Sequence, residues 1–307
     1  MRVFHPRSSH RSLRGRTVFP LPLRVCVLLM VLAAPGTAQG VGSVTLVLDN
    51  DILAPRGGGA PPDHDYTHGL SLTLALVGDS AARGAGPRAR IGVGQRIYTP
   101  RRDAPTPVPG ERPYAAWLYA AAGLTRESAG RRRTVSVEVG VTGPPALGEP
   151  VQNGVHRLTG SRRQEGWRHQ IGFEPGVLVR LEDSLSLDRA APVLRTVRLA
   201  PTARVVLGNV RTGAAAGVSV EAGGAAGPYA RLGGEGEWVA RDLFLDGNSF
   251  RGNSTARRLP GVAQGEAGVG FRGRGWAGEY RVVARGREYR AQPGAHVHGS
   301  LVFTRKR

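Results

Sequence analysis

The chain contains one cysteine, Cys26, in 307 residues. A single thiol excludes an internal disulfide framework and any zinc centre assembled from several thiolates. Aromatic residues make up only 6%, and lysine occurs once, at Lys306. The 42 cations are therefore almost all arginine. They are spread along the chain rather than clustered among stacking rings, which argues against a nucleic-acid partner. Acidic residues number 23, so the formal charge is +19, a balance that suits anionic lipid or lipopolysaccharide as a partner for an exported chain. No apolar run approaches the roughly 20 residues of a helical membrane span, and helical periodicity is nearly absent.

The basic excess is partly explained at the start of the chain. Arg2, Arg7, Arg11, Arg14, Arg16 and Arg24 precede or border an apolar run from Val25 to Ala34, and the small residues Gly36, Thr37 and Ala38 follow. This is the order of a secretory signal peptide. The reading places a signal over residues 1–38, cleaved after Ala38, and one domain over residues 39–307. Cys26 would leave with the signal.

From residue 39 onward the pattern has period two. Leu70, Leu72, Leu74 and Leu76 alternate with Ser71, Thr73 and Ala75, and Val135, Val137, Val139 and Val141 alternate with Ser136, Glu138 and Gly140. Val44, Leu46 and Leu48 repeat the motif. Each predicts an extended strand with one apolar face. Weaker strands are expected around 204–210, 216–222, 229–240, 263–271, 279–284 and 296–304. Two all-β architectures fit: a soluble sandwich, or an antiparallel transmembrane β-barrel whose apolar faces meet lipid and whose small or polar faces line a lumen. The scarcity of large core aromatics and export without a helical anchor favour the barrel. Tyr114, Trp117 and Tyr119 then read as members of an interfacial aromatic girdle.

The residues able to carry chemistry lie at strand ends. Leu48-Asp49-Asn50-Asp51 closes the first strand and Asp63-His64-Asp65-Tyr66-Thr67-His68-Gly69 opens the second, so the clusters meet if these strands pair. Four carboxylates with Asn and Thr oxygens would suit a hard cation such as Ca²⁺. They would equally suit solvated turns, where Asp and Asn make local hydrogen bonds. An EF-hand is excluded, because the twelfth position counted from Asp63 is Leu74 and not the bidentate Glu. Gln152 and His156 are four apart and would share one face of a short helix. A histidine so placed can act as a general base on water, or be an ordinary loop residue. No Gly-x-Ser-x-Gly elbow supports a serine nucleophile. His296 and His298 share a strand face, yet two imidazoles without a third ligand make a weak metal signal.

Eight segments in order resemble the lipid A 3'-O-deacylase family of Gram-negative outer membranes. They are Leu48 to Asp51, Asp65 to Gly69, Gly94-Gln95-Arg96-Ile97-Tyr98-Thr99-Pro100, Arg112-Pro113-Tyr114-Ala115-Ala116-Trp117-Leu118-Tyr119, Gly143 to Gly148, Gln152 to His156, Glu165-Gly166-Trp167 with Gln170, and Leu245 to Arg251. The resemblance implies a twelve-stranded barrel with a short helix at the extracellular rim, acting in the cell outer membrane as a monomer. It further implies a calcium-dependent ester hydrolase that removes the 3'-linked acyloxyacyl group of lipid A in lipopolysaccharide. Carried over by residue, Asp51 would hold Ca²⁺, Asn50 and Thr67 would complete the polar shell, His156 would be the base with Gln152 positioning it, and Arg112 would meet a lipid A phosphate or serve the fold. The alternatives are a non-catalytic outer-membrane barrel, pore or adhesin, and a secreted sandwich that binds an anionic glycan.

Overall fold

The computed structural model describes residues 38–55, 63–78, 86–192, 195–252 and 254–307. The signal-peptide reading covers residues 1–38, of which 1–37 lie outside the described residues and Ala38 begins the first strand. Thirteen strands form one antiparallel sheet: β1 (Ala38–Asn50), β2 (Asp65–Gly78), β3 (Arg88–Thr99), β4 (Ala115–Ser128), β5 (Arg131–Thr142), β6 (Pro175–Leu185), β7 (Leu187–Ala191), β8 (Arg195–Gly208), β9 (Arg211–Gly223), β10 (Gly227–Asp242), β11 (Gly261–Gly273), β12 (Trp276–Arg285) and β13 (His296–Lys306). Each strand pairs with its sequence neighbour, and β1 pairs with β13, so the sheet closes. β6 and β7 both pair with β8 and are successive halves of one stave, separated at Ser186. The barrel therefore has twelve staves. Closure removes the edge strands that an open sheet would expose, which a bilayer requires.

The period-two pattern places the apolar residues outside. Phe303, Leu46, Leu72 and Val93 lie side by side across β13, β1, β2 and β3 and are all exposed. Paired residues of an antiparallel sheet point to the same face, so this row continues around the wall as a lipid-facing band. The opposite face carries charge rather than only small residues. Arg96 and Arg180 meet Glu138, Arg204 meets Glu235, Arg211 and Arg285 meet Glu237, and Arg231 and Arg281 meet Glu266. Pairing keeps these charges, partly withdrawn from water, from standing unpartnered on the inner wall, where an unpaired one would be costly.

The aromatic-girdle expectation is corrected. Trp117 is fully buried and donates from Nε1 to Glu138 at 3.3 Å, and Tyr119 stacks on it with ring centroids 6.2 Å apart. Both share the lumen face with Arg96, so they fill the mouth of the barrel and do not face lipid. Tyr114 is buried beneath Trp167. Sequence alternation alone could not assign this face, since β4 carries alanines or aromatics at both parities.

The end of the barrel at which β1 begins and β13 ends has short turns at 129–130 and 274–275, and the connections that carry helices lie at the other end. These rim connections include helix α1 (Gly148–Thr159) between β5 and β6, and a short turn of helix α2 (Leu243–Asp246) after β10. Two apolar clusters organise the rim. One lies inside the mouth, where Trp117, Leu178, Val206, Val210 and Phe244 pack together. The other joins Ile97 and Ala116 to Ala146 and Trp167. Ile97 and Ala116 are paired residues on the face opposite Trp117, so this second cluster seats α1 on the outer side of the wall.

Candidate active site

Helix α1 reaches the wall through Gly148 and Gln152. Gly148 faces Trp167 and Ala116 at a distance that leaves no room for a Cβ. Trp167 Nε1 donates to Gln152 Oε1 at 2.8 Å, while Gln152 Nε2 is buried without a hydrogen-bond partner among the described residues. Gln95, on the outer face of β3, donates to the Ala146 carbonyl just before the helix at 2.6 Å. Gln152, Asn153 and His156 are all buried on the docked side, so Gln152 and His156 do share one face. The helix ends at Gly160, whose φ of 71° is the left-handed conformation that glycine adopts without strain.

His156 is held from two sides. Its Nδ1 donates to the Arg162 carbonyl, and because a carbonyl can only accept, this fixes the proton on Nδ1. Its Nε2 lies 3.0 Å from Asp63 Oδ2. Asp63 was in the sequence cluster but not singled out for a role; the fold makes it the partner of the histidine. Its φ of 68° is left-handed, a conformation that Asp tolerates better than most residues. The turn is fixed by a relay of hydroxyls: Thr99 donates to the Asp63 carbonyl at 2.7 Å, which leaves Thr67 to donate to Thr99 at 2.6 Å. Thr67 sits at a bulge between β2 and β3, where an extra residue re-aims its side chain.

Asp51 closes the cluster. It begins a single 3-10 turn (Asp51–Leu53) capped by Asn50, whose side chain accepts from the Ile52 amide at 2.9 Å. Asp51 Oδ2 accepts from the amides of Asp63, at 2.5 Å, and His64, at 3.1 Å. The β1 and β2 ends thus meet as their pairing requires. Asp51 Oδ1 is buried with no hydrogen-bond partner among the described residues. Burial, reinforced by the charge of Asp63, pushes its carboxyl up to about 7. A second carboxylate nearby and an unsatisfied buried oxygen are what a hard cation would stabilise, so the donor set fits Ca²⁺.

The remaining sequence candidate, Arg112, stands apart from His156. It is 1% exposed, pairs with Glu288 at 3.2 Å and lies 3.9 Å from Asp65, with its guanidinium over the Tyr98 ring. The adjacent carboxylates, above all Glu288, raise its affinity for the proton against the effect of burial. Apolar side chains on helix α1 and on the residues flanking the site are exposed: Ile52 next to Asp51, Leu147 before the helix, and Val155 and Leu158 on it, Leu158 by 90%.

The arrangement is a histidine–carboxylate pair, its histidine buried, beside an aspartate with one unpartnered buried oxygen, at the junction of the outer barrel wall and helix α1. Comparison with solved structures bears on the fold. LpxR from Salmonella typhimurium superposes with a TM-score of 0.74 at 20% identity, covering 86% of this chain and 100% of that one. The KdgM porin in complex with oligogalacturonate (TM-score 0.42, 6% identity, 86% and 99% coverage) and the Bordetella autotransporter BrkA β-domain (0.45, 14%, 88% and 100%) are more distant barrels. No curated protein matches by sequence. The family model described as outer membrane protein LpxR matches residues 22–307, and the chain belongs to that family of outer-membrane proteins.

Proposed function

We propose that this protein is a lipid A deacylase of the outer membrane, hydrolysing the ester of the 3'-linked acyloxyacyl chain of lipopolysaccharide. The observation that carries the reading is the position of the His156–Asp63 pair. It lies on the lipid side of the wall, under a helix whose Val155 and Leu158 are exposed. A polar hydrolytic pair bordered by apolar surface at the membrane rim suits a substrate whose acyl chains remain in the leaflet while its ester reaches the pair laterally.

With Nδ1 protonated and fixed by Arg162, Nε2 is the nitrogen that takes a proton from the attacking water. Asp63 Oδ2 lies 3.0 Å from this same nitrogen, so it accepts a hydrogen bond from Nε2 once the water's proton has been transferred there, and in this way stabilises the imidazolium. Gln152 orients the helix face through Trp167, and its unpartnered Nε2 amide is a donor available to the ester or the water. Thr67 acts through Thr99 on the Asp63 turn, and Asn50 acts by capping the turn that presents Asp51. Asp51, with Asp63 close by, would hold Ca²⁺, which when bound polarises an ester carbonyl and stabilises negative charge on its oxygen. Arg112, enclosed by Glu288 and Asp65, holds the rim connections together rather than meeting a phosphate.

Mass spectrometry of lipid A from cells expressing the wild type, His156→Asn or Asp51→Ala tests the reading, with membranes incubated in calcium or chelator. Loss of the acyloxyacyl mass only with the intact pair and with calcium is expected. Unchanged lipid A beside a folded wild-type barrel would refute deacylation and leave the non-catalytic barrel.

A further inference from the structure

A second cluster lies on the other side of the wall, inside the barrel mouth. His64, Asp65 and His296 are all buried, and each offers one ligand atom within 4.8 Å of the other two. His296 is 1% exposed, and both its ring nitrogens are without a hydrogen-bond partner among the described residues. A neutral imidazole carries one donor and one acceptor, and leaving both unmet away from water is unfavourable unless something else occupies the space they face. The His64 ring meets the His296 ring edge-on at 5.3 Å.

We propose that His64, Asp65 and His296 form a site for a divalent transition-metal ion of the Zn²⁺ class. Two imidazoles with one carboxylate select such an ion, whereas Ca²⁺ takes oxygen ligands throughout. The sequence shows His296 without a third ligand nearby. Closure of the barrel supplies it, because β13 pairs with β1, β1 pairs with β2, and His64 and Asp65 stand at the start of β2. Asp65 is braced as ligating carboxylates are: Tyr289 donates to Oδ1 at 3.0 Å, and Arg101 and Gln292 donate to Oδ2 at 3.2 and 3.5 Å. A carboxylate offers about four lone-pair positions, so these three bonds leave one acceptor position, on Oδ1.

The ion would fasten the first residue of β13 to the turn whose Asp63 and His64 amides hold Asp51. The site is separate from the Asp51–His156 cluster in ligand chemistry as well as position, and it stands whether or not the chain deacylates lipid A.

Untagged protein, refolded in detergent and stripped with EDTA, is titrated with Co²⁺ and followed by visible absorption; bound zinc is counted by elemental mass spectrometry after dialysis. One ion per chain is expected, undisplaced by millimolar calcium. His296→Gln and His64→Gln should each weaken binding by more than the roughly 10–100-fold that loss of an outer partner costs. The exposed His169→Gln should bind as the wild type does. Heat-modifiable gel mobility separates lost binding from lost folding, and if one variant does not fold the other carries the comparison. Co²⁺ uptake by folded wild type no greater than by a folded cluster variant, or displacement by calcium, would overturn the proposal.

Discussion

Replacing Gly148 by alanine tests how closely the seat of α1 governs the His156–Asp63 pair. An added Cβ would lie 2.3 Å from Trp167 Cη2, 2.6 Å from Cζ3 and 2.7 Å from the Ala116 Cβ. The nearest of these is about 1 Å short of ordinary carbon–carbon contact. Neither neighbour can yield easily: Ala116 is in the wall, and Trp167 is pinned by its bond to Gln152 and by the Tyr114 ring 5.0 Å away. The helix must therefore move by about 1 Å, carrying Gln152 and His156 with it. Overpacking of this kind costs about 1–3 kcal/mol, and a misplacement of that size costs about 100-fold in rate. The assay is the initial rate of ester release from lipid A by refolded protein, with barrel folding checked by gel mobility. Gly154→Ala is the matched control, since nothing lies within 4 Å of its added Cβ. Alanine there should leave the rate intact and favour the helix by about 0.5–1 kcal/mol. A Gly148→Ala rate within about threefold of wild type, with the barrel folded, would show that the helix seat does not position the base.

Three further outcomes follow from the same geometry. Trp167→Phe removes the donor to Gln152 Oε1 and should lower kcat/KM roughly tenfold, the worth of one buried hydrogen bond, without altering barrel stability in a urea titration. Glu288, in the loop before β13, is held down to about 2 against its burial by Arg285 and Arg112. A carboxyl lowered in the folded state contributes stability above its unfolded value near 4.5, and that contribution disappears as pH falls toward 2. Hydrogen-exchange protection of residues 286–295, taken relative to intrinsic exchange at each pH, should fall through this window in the wild type, while in Glu288→Gln it should be low already at pH 7 and change little with acid. Leu72→Arg, on the lipid face of β2, should cost about 2–4 kcal/mol of folding free energy in vesicles. Thr73→Asn beside it, which faces a lumen cavity of about 350 Å³, should be nearly neutral; equal costs would contradict the assignment of faces.

Alternation of leucine and valine with small residues was enough to read antiparallel strands and to prefer a barrel, because the lipid-facing half of such a strand repeats every second residue without needing a partner. β3, β4 and β6 were not read as strands in this way. Near the rim the outer faces of β3 and β4 meet the α1 seat through Gln95, Ile97 and Ala116, and the inner faces of all three strands bury aromatics, leucine or ion pairs, so apolar and polar residues are mixed there. Gln152 and His156 could be put on one helix face from their spacing, and Asn50, Asp51 and Thr67 could be put at meeting strand ends. What spacing could not supply was the Asp63 partner of His156, the Trp167 anchor of Gln152, or the enclosure of Arg112 by Glu288, residues 15 to 176 positions apart in sequence.

The sequence by itself determined that this chain makes strands, that their apolar faces need a cover of lipid or a second sheet, and that its Asp-rich clusters stand at strand ends, because these follow from local periodicity and turn chemistry. Only the tertiary structure decided which side of the wall each polar residue serves. A bulge at Thr67 and left-handed turns at Asp63 and Asp65 send Asp63 outward to His156 and His64 with Asp65 inward to His296, and a shift of one residue in a strand exchanges its two faces.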